Sequence, residues 1–411
     1  MKRRRSVGLV GLLVATLAVL LAAHAGLSPR RAIGQSLDPR EDKLAAALRV
    51  ETIREITVAL ADKEMEGRGT GQPGGVKAAR FVADRMARLG LKPLGEQGGF
   101  LQAVSAEDTR VAPELGGKID LPLKIGDPSP THNVVGRIEG SDPRLRDEAV
   151  IYTAHYDGLG KRKDGRIYPG AADNALGVAK MLAIAEVLAR AEPRPRRSVI
   201  FLAPTAEELG LLGARYWLRH PTWPLAKVAA DLNFDGIDTE TYGPLGAIVA
   251  IGLGQSTLDA TLTQLARDMQ LLVLPDPAPD QKVFYRSDHF EFAQRAIPTF
   301  YVIGLGFPGP PGRAKPQAEG MLGMLGSLYG SAPELVQLKA RADRFLAKQY
   351  HQPSDVVGPE WNWQGVRTAG VFYLIAGLRV ANAEKMPAWL PDSKYNGPRG
   401  MPPPATKGGI K

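Results

Sequence analysis

The chain has 411 residues, of which 44% are hydrophobic and 23% charged, with a formal net charge of +9 and no cysteine. This length and composition indicate a globular protein that can bury a large core. Without cysteine, disulfides, thiolate nucleophiles and thiolate metal ligands are excluded, so histidine and carboxylate side chains must hold any metal ion. Four of the basic residues cluster at positions 2–5, and no basic stripe interleaved with aromatic residues follows. The charge therefore indicates a mildly basic solvated surface, and no nucleic-acid partner is predicted.

The first 25 residues have the pattern of a secretory signal peptide. A basic start is followed by an apolar run at residues 7–23, and Ala23-His24-Ala25 fits a small-x-small cleavage site. The apolar run is long for a signal and slightly short for a membrane-spanning helix, so an uncleaved N-terminal anchor is the alternative. We therefore predict an extracytoplasmic protein, periplasmic or secreted, in which residues 26–41 form a Pro/Arg/Ser-rich linker.

Hydrophobic periodicity predicts the elements that follow. Two amphipathic helices are expected at about residues 41–63 and 78–89, with the glycine-rich stretch 67–71 between them, and residues 92–130 are predicted as edge strands and loops. Strands and helices then alternate. Strands are predicted at 132–140, 150–154, 198–203, 228–234, 246–253 and 297–303, and helices at 175–191, 209–219, 256–269 and 363–383. This alternation is typical of an α/β fold whose sheet is covered on both faces by helices.

Two segments do not follow this periodicity. Residues 304–331 are rich in Gly and Pro, and we interpret them as a lid or an interface loop. The chain from Pro387 onward is predicted to be extended or disordered. We therefore predict a single domain over residues 42–385, followed by a Pro/Gly-rich tail at 386–411.

Polar side chains follow three of the predicted strands. His155 and Asp157 come after the strand at 150–154, the pair Glu207-Glu208 after that at 198–203, and Asp235 after that at 228–234. Because ligands of open α/β sheets gather beyond the carboxyl ends of the strands, we expect these side chains at one rim. Asp173, which precedes a predicted helix, and the distant His351 can complete the cluster.

Each of these residues also has an ordinary structural interpretation when taken alone. His155 could be a polar cap, Asp173 a helix N-cap, and Asp235 or His351 a loop residue. The pair Glu207-Glu208 is more informative, because adjacent carboxylates near a buried strand end repel each other unless a cation neutralises them. One of the pair could bind a metal ion while its neighbour reaches a metal-bound water.

Two histidines and three carboxylates fit zinc with open positions for water, and they suit a site for two ions. Asp157 lies two residues after His155 and can hold the imidazole by its second nitrogen. Among the other histidines, His289 is a candidate for the wall of the site.

Together these motifs resemble the M28 family of zinc peptidases, the co-catalytic aminopeptidase group, over about residues 45–385. The resemblance rests on six stretches in the same order: His155-Tyr156-Asp157, residues 170–177, residues 206–210, Asn233-Phe234-Asp235, Ser287-Asp288-His289 and residues 350–355. It implies a three-layer α/β/α sandwich around a central mixed, mostly parallel sheet of the zinc exopeptidase type.

The resemblance also implies a function and a role for each residue. It implies a zinc-dependent exopeptidase, of the aminopeptidase kind, that acts on peptide substrates with two zinc ions per chain. The implied metal ligands are His155 and Asp235 for one zinc, Glu208 and His351 for the other, and Asp173 as the bridge. The implied catalytic residues are Glu207 as general base, Asp157 as the residue that orients His155, and Tyr350 as the residue that steadies the tetrahedral intermediate.

Two alternatives use the same fold. A glutaminyl cyclase would need one zinc ion, and a metal titration separates it from a two-zinc peptidase. A non-catalytic receptor or binding module would be expected to have lost ligands, whereas this chain keeps five candidate ligands and the candidate base.

Overall fold

The structure, a computed structural model, describes residues 37–104, 130–236, 238–276, 282–306 and 333–401. The predicted signal peptide and residues 26–36 of the predicted linker lie outside the described residues, so their predictions stay predictions. Among the described helices, none combines the length and the apolar character needed to cross a membrane.

The strands in the described ranges are β1 (Lys92–Pro93), β2 (Leu101–Val104), β3 (Thr131–Ile138), β4 (Ala149–Thr153), β5 (Gly160–Lys161), β6 (Ile167–Tyr168), β7 (Ser198–Ala203), β8 (Val228–Asn233), β9 (Leu245–Ile251), β10 (Leu272–Pro275) and β11 (Thr299–Gly306). Nine of them form one mixed sheet, in the order β1-β3-β7-β4-β8-β11-β9-β10, with β2 paired to β3. A separate small sheet pairs β5 with β6.

The centre of the sheet is parallel. Strand β4 lies between β7 and β8 and runs parallel to both, and β11 continues this parallel order beyond β8. Antiparallel pairs join β3 to β7 and β9 to β11. The predicted mixed sheet is therefore confirmed, and its parallel centre directs the carboxyl ends of β7, β4 and β8 to one edge.

Helices cover both faces of this sheet. In β4, Val150 and Tyr152 belong to one apolar cluster, while the alternating Ile151 belongs to another that includes Trp217 and Phe292. This alternation is what a strand buried on both faces requires. The helices are α1 (Pro39–Ala47), α2 (Val50–Leu60), α3 (Pro73–Arg88), α4 (Leu176–Ala189), α5 (Leu212–Arg219), α6 (Leu258–Asp268), α7 (His289–Ala293), α8 (Pro333–Lys348) and α9 (Trp363–Asn382). The α/β/α sandwich is confirmed.

The single helix predicted at 41–63 is wrong, because the chain breaks between α1 and α2. Leu48 adopts an extended conformation there and is only 1% exposed. The guanidinium of Arg367, on α9, donates to the carbonyls of Leu48 and Ala45 at 2.8 and 2.6 Å. These bonds satisfy carbonyls that the end of a helix leaves without partners, so the break keeps Leu48 in the core at little cost.

The predictions for both ends of the domain need correction. Helix α1 begins at Pro39, inside the predicted linker, and the Asp38 side chain caps it. Residues 387–401, predicted to be extended or disordered, pack on the body of the domain. Trp389 and Tyr395 are each 6% exposed, and Trp389 forms a β-bridge with Ser256. Their aromatic side chains supply enough apolar area to hold this segment against the surface.

Strand β11 extends to Gly306, into the predicted lid, and residues 307–332 lie outside the described residues.

Candidate metal centre

Three parallel strands deliver their polar side chains to one edge of the sheet, as predicted. His155 and Asp157 follow β4, Glu207 and Glu208 follow β7, and Asp235 follows β8. After β7 the backbone turns sharply: Ala206 and Leu211 have left-handed φ values of 55° and 62°. Helix α5 therefore begins at Leu212 and not at 209, as the periodicity had predicted.

Asp173 lies between the two histidines. Its Oδ1 is 3.3 Å from Nε2 of His155, and its Oδ2 is 3.3 Å from Nε2 of His351. Each histidine also approaches a second carboxylate: His155 Nε2 is 3.5 Å from Asp235 Oδ1, and His351 Nε2 is 3.1 Å from Glu208 Oε2. The five residues predicted as ligands thus form one continuous chain of contacts, with Asp173 at its centre.

The structure excludes a helix-capping role for Asp173. The backbone is irregular over Ala171–Ala175, and the residue at the N-cap position of α4, Ala175, makes no side-chain capping bond. Asn174 performs the capping function instead, because its Oδ1 accepts from the Gly177 amide at 3.1 Å while its amide group donates to the Phe234 carbonyl at 2.8 Å. Both oxygens of Asp173 are therefore left for the histidines.

The side chains form two groups that could each hold a cation. His155, Glu207 and Asp235 make one group, and Asp173, Glu208 and His351 make the other, with the ligand atoms of each group within 4.8 Å of one another. His155 is fully buried, yet neither ring nitrogen has a hydrogen-bond partner in the described part of the chain. Burying such atoms unpaired is costly, and two cations among these donors would satisfy them. The donor set fits zinc, which prefers nitrogen and carboxylate ligands when cysteine is absent.

The electrostatics of the cluster also favour bound cations. Burial opposes the charged form of His155, but the carboxylates of Glu207, Asp157, Asp173 and Asp235 outweigh it and raise the pKa of the imidazole well above its usual value. Burial opposes the charge of His351 too, yet its carboxylate neighbours raise its pKa to about 10.

Burial also raises the pKa of both glutamates. For Glu208 the nearby charge of Asp173 adds to this effect, and for Glu207 the charges of Asp235 and Asp288 do so, against the influence of His155. In the absence of metal ions, both glutamates therefore hold their protons more tightly than a free glutamate does, as expected for buried carboxyl groups that lie close to other carboxylates.

Asp157 has more partners than the sequence suggested. Its Oδ1 lies 3.5 Å from Nδ1 of His155, in agreement with the predicted contact. The same carboxylate accepts from the backbone amides of Glu207 at 3.2 Å and Glu208 at 3.4 Å, and from the Thr70 hydroxyl at 3.1 Å. Asp157 therefore positions the glutamate pair as well as the histidine. Nothing in the spacing of the sequence indicated the amide contacts or Thr70.

Tyr350 lies against the second group of ligands. Its ring stacks on that of His351, with centroids 3.8 Å apart and an angle of 22° between the planes. Burial raises the pKa of its phenol, and the carboxylates of Asp173, Glu208 and Glu207 raise it further. The phenol is therefore neutral and able to donate a hydrogen bond at the site.

The site is deep on one side and open on the other. His155 is 1% exposed and His351 is 38% exposed. A small cleft lined by Leu159, Tyr168 and Gln352 leads to the second group of ligands. The candidate metal centre is thus reached from solvent on the His351 side.

His289 does not line the open side of the centre. It is fully buried, its ring centroid lies 4.9 Å from that of Phe284 and 4.8 Å from that of Tyr301, and burial lowers its pKa to about 3.

Its neighbour Asp288, to which sequence reasoning gave no role, is also buried, and neither of its carboxylate oxygens has a hydrogen-bond partner in the described residues. Burial raises the pKa of Asp288 well above its usual value, with Asp157 and Asp235 adding to the effect.

Two histidine–carboxylate groups that share one edge of a mixed α/β sheet are the arrangement expected of a metal-dependent enzyme. The sequence matches the model of Peptidase family M28 over residues 133–372, and the chain belongs to this family.

Curated relatives match a shorter stretch. A vacuolar membrane protease of Clavispora lusitaniae is 36% identical over 106 residues, which is 26% of this chain and 9% of that protein. A probable leucine aminopeptidase 2 of Aspergillus oryzae is 34% identical over 113 residues, 27% of this chain and 21% of that protein. The alignments thus span only about a tenth to a fifth of these relatives.

Solved structures share the fold over most of the chain. The Legionella pneumophila LapA aminopeptidase has a TM-score of 0.53 at 17% identity, covering 84% of this chain and 76% of that one. A zinc aminopeptidase from Bacillus subtilis, BSAP, has a TM-score of 0.51 at 18% identity, covering 84% and 96%. The aminopeptidase from Aneurinibacillus sp. strain AM-1 has a TM-score of 0.52 at 14% identity, covering 84% and 97%.

Proposed function

We propose that this chain is an exported aminopeptidase that uses two zinc ions to hydrolyse the first peptide bond of a peptide. The observation that carries the proposal is the carboxylate of Asp173, which presents one oxygen to each histidine at 3.3 Å. A carboxylate placed in this way suits a bridge between two ions. His155 and Asp235 would complete the first set of ligands, and Glu208 and His351 the second.

The bound ions would supply a lowered pKa for the attacking water and polarisation of the substrate carbonyl. The remaining steps belong to side chains of the protein. Glu207 takes the proton from the attacking water and passes it to the leaving amine, a role worth about 10²–10⁴-fold in rate. The Tyr350 phenol donates to the oxygen on which charge develops. Asp157 holds His155 and the backbone of the glutamate pair in place.

Preference for a free amino terminus has an electrostatic basis. Carboxylates outnumber cationic side chains around the site: burial raises the pKa values of Glu207, Glu208 and Asp288, and neighbouring carboxylates raise them further. A positively charged α-ammonium is attracted to those carboxylates that bound cations do not neutralise. The names of the related aminopeptidases agree with this proposal.

Metal analysis combined with a substrate panel tests the activity. The purified protein should bind two equivalents of zinc and hydrolyse amino-acyl 4-nitroanilides, and N-acetylation of the same substrates should abolish turnover. One equivalent of zinc together with cyclisation of N-terminal glutamine would favour the glutaminyl cyclase alternative. Two equivalents with turnover of blocked substrates only would contradict the aminopeptidase assignment.

Export is proposed on the pattern of residues 1–25 alone. The basic start, the apolar run at 7–23 and the Ala23-His24-Ala25 site support it. Mass spectrometry of the protein recovered from its native cell tests this proposal. A mature chain that starts at residue 26 in an extracytoplasmic fraction is expected, an intact N-terminus in the membrane fraction would favour the anchor, and a full-length cytoplasmic protein would refute export.

A further inference from the structure

The glycine loop, residues 67–71, was predicted only as a break between two helices, and the catalytic roles above do not involve it. Arg68, within this loop, is 0% exposed. A completely buried arginine is rare, because a charge is costly to remove from water unless its hydrogen bonds are satisfied. The structure places this residue directly against the metal centre, so its contacts indicate what it does there.

The guanidinium of Arg68 binds backbone carbonyls on both segments that carry His155 and Asp173. Its Nε donates to the Tyr156 carbonyl at 2.8 Å, immediately after His155, and Nη2 donates to the Gly170 carbonyl at 2.8 Å, three residues before Asp173. Nη1 donates to the carbonyl of Leu60, the last residue of α2, at 2.7 Å. One rigid planar group thus fixes the two ligand-bearing segments relative to each other and to α2.

The rest of the glycine loop reinforces this arrangement. The Thr70 hydroxyl donates to Asp157 Oδ2 at 3.1 Å, and the Gly158 amide donates to the Arg68 carbonyl at 3.3 Å. At Gly67, which has a φ of 70°, a Cβ would lie 2.5 Å from the Tyr168 carbonyl oxygen. The close approach of backbone to backbone therefore requires glycine at this position.

Arg68 also supplies charge. The carboxylates of Asp355, Asp157 and Asp173 surround it closely enough to oppose the lowering of its pKa by burial. Its hydrogen bonds go to neutral carbonyls, so its full positive charge acts on the acidic cluster. Asp355 in turn accepts from the amides of Ala172 at 2.9 Å and Asp173 at 3.2 Å, which ties the His351 segment to the same region.

We propose that the glycine loop positions the metal centre before metal ions bind: the Arg68 guanidinium sets the spacing between the His155 and Asp173 segments, and the Thr70 hydroxyl holds Asp157. This inference rests on the proposed function, because it assumes that the cluster binds metal. Lysine can supply the charge but not the planar fork with several donors. Arg68→Lys should therefore weaken zinc binding by about 10- to 100-fold, the range for residues that orient metal ligands.

Arg197 offers a matched control. It is also buried, at 1% exposed, and its guanidinium donates to the Glu148 carboxylate at 2.7 Å and to the Val380 carbonyl at 3.1 Å. It precedes β7 and so lies at the edge of the sheet opposite the metal centre. Arg197→Lys makes the same chemical change in a similarly buried place and should lower thermal stability without changing zinc affinity.

The test measures zinc affinity by competition with a chromophoric chelator, and the visible absorption spectrum of the protein loaded with Co²⁺, for wild type and both variants. A loss of zinc affinity and a changed Co²⁺ spectrum in Arg68→Lys alone support the inference. Wild-type affinity and spectrum in Arg68→Lys overturn it, and so does an equal loss in Arg197→Lys, which would reveal general destabilisation.

A second pair of variants decides the matter if Arg68→Lys does not fold. Thr70→Val removes the hydrogen bond to Asp157 without changing volume, and Thr57→Val makes the same change at a buried threonine whose hydroxyl donates within α2 at 2.8 Å. A changed Co²⁺ spectrum in Thr70→Val alone supports the positioning role of the loop, and an unchanged one overturns it. Wild-type protein that binds no divalent metal refutes the proposed function itself, whereas an active two-zinc wild type with unaffected variants refutes only this inference.

Discussion

Glu207→Gln separates the proposed base from the proposed ligands. Gln keeps the size of the side chain and removes its charge, so it can neither accept the proton of the attacking water nor repel nearby carboxylates. We expect the variant to bind two equivalents of zinc and to lose about 10²–10⁴-fold in kcat, because general-base catalysis contributes this much. The backbone contact of Glu207 with Asp157, at 3.2 Å, does not involve the changed side chain.

The same substitution should stabilise the metal-free protein. Ligand oxygens of Glu207 and Asp235 lie within 4.8 Å of each other, which corresponds to at least about 3.5 kcal/mol of repulsion between full charges at an effective dielectric constant of ~20. Wild type avoids part of this repulsion because burial, with Asp235 and Asp288, raises the pKa of Glu207 well above 4.5. Keeping that proton costs stability as the pH rises above 4.5, since the unfolded chain ionises freely there. A neutral Gln has no such cost, so metal-free Glu207→Gln should exceed wild type by about 1–3 kcal/mol at mildly alkaline pH.

Three measurements check this prediction: metal content, steady-state kinetics, and denaturant unfolding of the metal-free proteins at acidic and alkaline pH. Glu208→Gln is the matched control, because Glu208 Oε2 lies 3.1 Å from His351 and the residue is a proposed ligand. It should lose zinc as well as turnover. If Glu207→Gln loses as much zinc as Glu208→Gln, the two glutamates have been assigned in the wrong order. A pH-independent difference in stability between Glu207→Gln and wild type would refute the electrostatic reasoning.

Three further predictions concern other side chains at the site and in the core. Tyr350→Phe should keep both zinc equivalents and lower kcat by about 10²–10³-fold, because only the donor to the developing charge is lost; zinc loss in metal analysis would contradict this. Burial raises the pKa of Asp231 to about 8, so the folded protein keeps a proton that the unfolded chain releases near pH 4. As the pH rises from about 4 to 8, wild type should therefore lose stability relative to Asp231→Asn, by up to about 1.4 kcal/mol per pH unit. Urea unfolding at several pH values tests this, and parallel pH profiles would refute it. Lys180→Met leaves the buried carboxylate of Glu240 unpaired and should cost about 3–5 kcal/mol in the free energy of unfolding. Lys180→Met/Glu240→Gln should recover most of the loss in the same assay, and no recovery would contradict the pairing.

The order of strand ends made much of the site predictable. His155, Glu207 with Glu208, and Asp235 follow short apolar runs, and a parallel α/β sheet directs such positions to one edge. That Asp173 and His351 join them did not follow from this pattern, because neither residue ends a predicted strand; their place in the cluster came from the family resemblance. Their assignment to particular zinc ions came from the family resemblance and remains a proposal.

Contacts between distant segments could not be predicted, because they have no periodicity. The bonds from Arg68 to the Tyr156 and Gly170 carbonyls depend on how a loop folds over two others. Likewise, the break at Leu48 depends on Arg367, more than three hundred residues away, which competes with continuation of the helix. Hydrophobic patterns report burial, but they do not report which backbone groups a remote arginine will satisfy.

The packed C-terminal segment links the end of the domain to the metal centre through a single strand. The Arg399 guanidinium donates to the carbonyls of Val228 and Ala229 at 2.8 Å, where β8 begins, and the same strand leads to Asp235 at its other end. Proteolytic removal of Arg399 would leave the carbonyls of Val228 and Ala229 without these donors and would weaken the hold on the beginning of β8. The C-terminal segment is therefore tied to the same strand that places Asp235 six to seven residues further on, so truncation there acts on a strand of the site and not only on the surface.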